Sequence, residues 1–278
     1  MRYLAECKPP RRPQTAPMSV GSAFDAKVKS FLFERLFGKT PEWSFTRLFE
    51  DQVQPHVRDA ALKTVPVTWD LYKSSGALAE LLLQLDKSIL APHFETRITK
   101  TIYFSDGEVT IMGVPDLMFQ TGDCLVILDW KVNGFYSSAS PRKGYVLCLP
   151  DRVSHNDVVL VDHYGVKMIS AWFNDLYEDW ARQLSTYTWL MGWPVGNRSL
   201  LMIHQLAFGR KPRVAIHAGL CEPNFQEKLY DEYLALWRGL EEGTLFTEPE
   251  AERLNAVAAT FMGDDDESRI YRELTGRG

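Results

Sequence analysis

The chain has 278 residues, 45% hydrophobic and 24% charged, a globular composition rather than a fibrous or disordered one. No run approaches the roughly 20 apolar residues of a membrane span, so no membrane partner is expected. A net charge of −5 argues against bulk attraction to nucleic acid, while leaving room for a local basic groove beside an acidic site.

Residues 1–18 are rich in Pro and Arg, with Lys8, Arg11 and Arg12 opposed by Glu6 alone, and read as a flexible basic arm able to touch phosphates. No apolar block follows these charges, so the segment is not read as a secretory signal. A cytoplasmic or nucleoid-associated protein is expected. Cys7, Cys124, Cys148 and Cys221 lie far apart without a CxxC pair, which excludes common zinc spacings and points to reduced thiols.

Residues 19–92 read as a helical region. Phe24, Val28, Phe31, Leu32 and Arg35 recur at steps of three and four, predicting a helix from about Ser22 to Leu36, stopped by Gly38. Two more helices are expected around 42–63 and 76–90, with Pro55 and Pro66 as punctuation. Leu78, Leu81, Leu82 and Leu85 stripe the last of them.

The texture then changes, and 93–220 reads as an α/β core. Three strands in a meander are expected at 94–104, 109–119 and 124–132, separated by the polar turns SDGE and QTGD. The run Leu125 to Leu128 is wholly apolar, which marks a central strand buried on both faces. An insertion at about 135–172 contains YVLCL and DVVLVDHYGVKMIS, read as a β-hairpin. A helix from about Asn174 to Met191 carries Leu176, Trp180, Leu184 and Tyr187 on one face. Strands SLLMIHQLAF and RVAIHAG follow. Residues 221–278 read as a C-terminal helix, about Asn224 to Leu240, and a polar tail.

The chemistry-bearing residues cluster at the end of the apolar strand. Side chains alternate along a strand, so Asp129 and Lys131 share one face and Trp130 takes the other. Buried alone, such charges cost several kcal/mol each, so either an ion pair or a bound cation with an anionic substrate must compensate. The preceding strand ends in Gly113-Val114-Pro115-Asp116, and the short turn 120–124 brings Asp116 back toward Asp129. Two carboxylates, with the Val132 carbonyl and water, make the oxygen donor set that Mg²⁺ or Mn²⁺ prefers. Gln183 and Tyr187, at i and i+4 of the later helix, share a face and can line one groove. Arg142-Lys143 and Arg210-Lys211 are candidates for a phosphate-facing rim. His155 and His163 have no trusted ligand spacing and read as solvated loop residues.

GVPD, then DWK, then Q-x-x-x-Y on a following helix resembles the PD-(D/E)XK nuclease superfamily, in particular its RecB-like branch. The match spans about 94–207, and Gly21-Ser22-Ala23-Phe24-Asp25 resembles that branch's first motif. The resemblance implies a restriction-endonuclease-like core, a central mixed sheet in the order helix, three strands, helix, strand, with extra helices around it. It implies metal ligation by Asp116 and Asp129, a catalytic Lys131, and strand positioning by Gln183 and Tyr187. Asp25 stands where many relatives carry a ligand His, and Glu95 matches a recurrent acidic position. With one late cysteine, Cys221, no iron–sulfur cluster is expected. The implied activity is Mg²⁺- or Mn²⁺-dependent cleavage of DNA, single- or double-stranded, by an exonuclease or end-processing enzyme. Its setting would be recombination, repair or processing, with a helicase or recombination partner. The alternative is a catalytically inactive member of the fold that binds nucleic acid or protein.

Overall fold

Thr15 opens the first helix, α1 (Ala16–Phe37): its hydroxyl accepts from the Met18 amide, Pro17 occupies the first turn, and Gly38 at φ 88° ends it. The helix therefore begins well before the expected Ser22. The computed structural model describes residues 13–103, 107–132, 146–148, 172–175, 178–207 and 213–242. The chain divides into two units, Met1–Gln226 and Glu227–Gly278.

In the first unit, α1 is followed by α2 (Phe45–Gln52), a short 3-10 turn at Pro55–Val57, α3 (Arg58–Ser74) and α4 (Ala77–Leu85). The helix expected at 42–63 is thus two helices broken near Pro55. Pro66 does not break α3 but lies inside it. The buried side of α3, with Ala61, Val65, Thr68, Trp69 and Tyr72, holds the helix across the missing amide.

The strands are β1 (His93–Phe94), β2 (Ile98–Tyr103), β3 (Glu108–Gly113), β4 (Leu117–Thr121), β5 (Cys124–Val132), β6 (Val146–Cys148), β7 (Gly196–Ala207) and β8 (Arg213–Cys221). Helix α5 (Glu178–Met191) precedes β7, and α6 (Pro223–Glu241) follows β8, supplying what is described of the second unit. Among the described residues, six strands form a mixed sheet in the order β1-β4-β5-β7-β8-β6, and β2 pairs with β3 in a separate ribbon. Strand β4 runs antiparallel to β5, and β7 runs parallel to β5 on its other side.

This corrects the expected three-strand meander. The stretch 109–119 is not one strand: it breaks at Val114-Pro115-Asp116, leaving β3 in the ribbon and β4 in the main sheet. Proline offers no ladder donor, so the pairing passes from one sheet to the other at that point. The expected strand at 94–104 is likewise divided between β1 and β2. Of the insertion, β6 pairs in parallel with β8, and the rest of the expected hairpin lies outside the described residues.

Strand β5 is covered on both faces, as its apolar run demands. Val126, Leu128 and Trp130 pack with Phe24, Val28 and Leu32 of α1 and Tyr72 of α3. Leu125 and Ile127 pack with Trp180, Leu184 and Tyr187 of α5. The apolar stripes of α1 and α5 are the cause of this layering: each helix buries one face against the sheet. Cys124 and Cys221 are buried free thiols. Among the described residues no helix is long and apolar enough to cross a membrane.

Candidate metal centre

The β4–β5 hairpin register sets Leu117 opposite Leu128, so Asp116 and Asp129 meet just beyond the last pair. They are tied backbone to side chain in both directions. The Asp116 amide donates to Asp129 Oδ1 at 3.3 Å, and the Trp130 amide donates to Asp116 Oδ2 at 3.0 Å. The break at Pro115 matters here, because an amide released from a ladder is free to hold a carboxylate.

Asp129, though charged, is 2% exposed. Its Oδ2 accepts from Lys131 Nζ at 3.0 Å and from Gln183 Nε2 at 2.6 Å. Gln183 Oε1 in turn accepts from Lys131 Nζ at 3.2 Å, and Gln183 Nε2 also reaches the Tyr187 hydroxyl at 2.9 Å. The Asp129, Lys131, Gln183 and Tyr187 side chains therefore form one network, with α5 steadying the strand end. On the opposite face Trp130 Nε1 donates to the Tyr72 hydroxyl, which lies 2.6 Å from His204 Nδ1. Burial pushes His204 down to about 3, so it is a neutral imidazole.

The residue that sequence reasoning missed is Lys29. Its side chain, 1% exposed, puts Nζ 2.7 Å from Asp25 Oδ2, 2.7 Å from Asp116 Oδ1 and against Glu95 Oε1. Glu95 thus pairs with Lys29; it also has a left-handed backbone, φ 49°, which a non-glycine residue adopts at a cost and which functional sites often store. The available signal was a lysine four residues after Asp25, beside the apolar stripe of α1.

Oxygens of Asp25, Glu95 and Asp116 all lie within 4.8 Å of one another, a group that could hold a divalent ion. An open cleft of about 300 Å³ adjoins it, lined by Gly21, Ser22, Asp25, Asp116, Asp129, Lys131, Val132 and Gln183 among others. Electrostatics show surplus negative charge. Burial, then the Asp116 charge, raises Asp25 to about 7 and Asp129 to about 6. Burial pulls Lys29 down, yet Asp116, Asp25 and Glu95 outweigh it and hold the ammonium above its ordinary value. Asp25 Oδ1 is buried with no hydrogen-bond partner. An unpartnered carboxylate oxygen beside two more carboxylates, with no Cys or His in the cleft lining, fits a hard cation such as Mg²⁺ or Mn²⁺.

Asp25, Glu95, Asp116, Asp129, Lys131, Gln183 and Tyr187 are therefore brought together, and Val132 lines the same cleft. Arg142, Lys143, Arg210 and Lys211, with His155 and His163, lie outside the described residues.

No family model and no curated protein matches the chain. Solved structures are distantly similar, two of them as follows. A protein of Eubacterium rectale, named "Putative exonuclease", aligns over 86% of this chain and 72% of its own at 12% identity, with a TM-score of 0.39. SSO0001 aligns over 82% and 79% at 10% identity, with a TM-score of 0.25. Likenesses this loose carry no conclusion about activity, so function has to be read from the site itself.

Proposed function

We propose that the chain is a metal-dependent nuclease of the PD-(D/E)XK type, RecB-like branch, hydrolysing DNA phosphodiester bonds. One observation carries the reading: two carboxylates, Asp116 just before β4 and Asp129 in the neighbouring β5, converge beside the Lys131 ammonium at an open cleft. Asp116 and Asp129, joined by Asp25 and the Val132 carbonyl, would hold Mg²⁺ or Mn²⁺. A divalent ion there polarises a phosphate and makes water a stronger nucleophile at neutral pH.

The chain's own residues supply the remainder. Lys131, 26% exposed, directs a positive charge into the cleft where negative charge grows on a phosphate during in-line attack. Gln183 fixes that ammonium from one side while donating to Asp129, so the lysine and the ligand keep a set geometry. Tyr187 braces Gln183. The reading extends to 5′-phosphate and 3′-hydroxyl products, an exonuclease or end-processing role in recombination or repair, and a helicase or recombination partner.

The test is cleavage of end-labelled single- and double-stranded DNA, linear and circular, in Mg²⁺, Mn²⁺ or EDTA. Degradation needs metal, and Lys131→Ala or Asp116→Ala lowers it by at least about 100-fold with an unchanged circular dichroism spectrum. Sparing of circles marks an exonuclease. Full activity in either folded variant sinks the assignment.

A second reading, an inactive binding module of the same fold, draws on Lys29, which already neutralises part of the carboxylate group. Retention of labelled DNA by folded protein, with no cleavage under any metal, favours it.

A further inference from the structure

We infer that Lys29 is a resident cation of the centre: its ammonium fills the Glu95 side of the carboxylate group and limits the site to one divalent ion, held on the cleft side. The inference rests on the nuclease reading, since it concerns how that same site is loaded.

An ammonium has three protons to donate, and Lys29 meets three carboxylates, those of Asp25, Asp116 and Glu95. Lysines on helices ordinarily bury the stem and keep the head in water. This one has left water altogether, at 1% exposure, which costs several kcal/mol unless the charge is fully met. Such a side chain is a fixed part of the centre.

The geometry separates two halves. The cleft is lined by Asp25, Asp116 and Asp129, and Lys29 and Glu95 are absent from its wall. Asp25 bridges the halves: Oδ2 accepts a hydrogen bond from Lys29 Nζ, and Oδ1 is buried and unpartnered. Asp116 likewise accepts from Lys29 Nζ on Oδ1 and from the Trp130 amide on Oδ2. When all are ionised, the four carboxylates of Asp25, Glu95, Asp116 and Asp129 face two ammonium groups, Lys29 and Lys131. The remaining two negative charges call for one divalent ion. Without Lys29 a further charge is uncovered, and the oxygens of Asp25, Glu95 and Asp116, within 4.8 Å of one another, become a second oxygen-lined hole. Lys29 acts through the ligands it holds and is a positioning residue.

The experiment is Mn²⁺ binding to the full chain, counted by equilibrium dialysis and by the electron paramagnetic resonance signal of free Mn²⁺. Wild-type protein takes one Mn²⁺ per chain, and Lys29→Ala takes two. Glu95→Gln, which alters a carboxylate outside the cleft lining, keeps one ion within about threefold in affinity, whereas Asp129→Asn weakens it by more than about tenfold. Two ions in the wild type, or one ion of unchanged affinity in Lys29→Ala, overturns the inference. So does loss of the ion in Glu95→Gln, which would make Glu95 a ligand. If Lys29→Ala does not fold, the Glu95 and Asp129 variants decide the matter. A folded wild type that binds no Mn²⁺ defeats the nuclease reading itself and this inference with it, an outcome distinct from the others.

Discussion

Asp129 stays buried beside Asp116 because each of its oxygens has a donor: the Asp116 amide on one, Lys131 and Gln183 on the other. Those donors do not cancel the cost of burial, which is why its proton is held up to about 6, and that of Asp25 up to about 7, against 3.8 for an ordinary Asp. The sign of the consequence follows from proton counting. Between about pH 4 and pH 7 the folded, metal-free site binds more protons than the unfolded chain. These two groups therefore stabilise the fold most at the acid end, and their contribution is lost as pH rises through 6 and 7. Lys29, shifted upward from 10.5, contributes evenly across this window. In EDTA, the unfolding free energy of Asp129→Asn should gain on that of the wild type as pH goes from 4.5 to 8, by on the order of 1–3 kcal/mol. A gap that stays constant with pH would mean that Asp129 ionises as it does in water.

At the scale of elements, the centre depends on how closely the β2–β3 ribbon meets α5. A methyl group on Gly113 would sit 2.6 and 2.7 Å from ring carbons of Tyr187 and 2.9 Å from Leu190, closer than carbons can approach. Gly113→Ala should destabilise the protein by about 1–3 kcal/mol, read as a lower urea midpoint. It should also cut cleavage, because Tyr187 braces Gln183 and hence Lys131. A variant of wild-type stability would show that α5 yields freely. Much at this scale was legible in the sequence. The apolar run of β5, the turn at 120–124 and the stripes on α1 and α5 are local patterns, and they suffice to bring Asp116, Asp129 and Gln183 together. The strand break at 114–116 was signalled by Pro115, but which sheet each half joins depends on distant partners: β2 on one side, β1 and β5 on the other. Pro66 reads as a stop, yet burial of Val65, Trp69 and Tyr72 outweighs the lost hydrogen bond. Lys29 was hidden for a different reason. A lysine beside an apolar stripe has the pattern of a solvated edge, and only the meeting of Asp25, Glu95 and Asp116, which are remote in sequence, gives it a buried role.

For the molecule as a whole, the sheet sets Asp116, just before β4, and Asp129 of β5 against Asp25 of α1, so a cation bound between them joins residues more than 90 positions apart in sequence. None of these groups is assembled in the unfolded chain, and an ion that binds only the folded state must stabilise it. At a hundred times its dissociation constant the gain is about 2.7 kcal/mol, which for a domain of this size raises the thermal midpoint by roughly 5–10 °C. The ion also repels the protons held by Asp25 and Asp129, so the gain should grow from pH 5.5 to pH 8 as competition with protons fades. Calorimetric scans with Mn²⁺ at both pH values measure this, with Asp116→Asn as the control expected to lose most of the shift. If Mn²⁺ leaves the wild-type midpoint unmoved at either pH, the carboxylates are satisfied by Lys29 and Lys131 alone, and the cleft is not a metal centre.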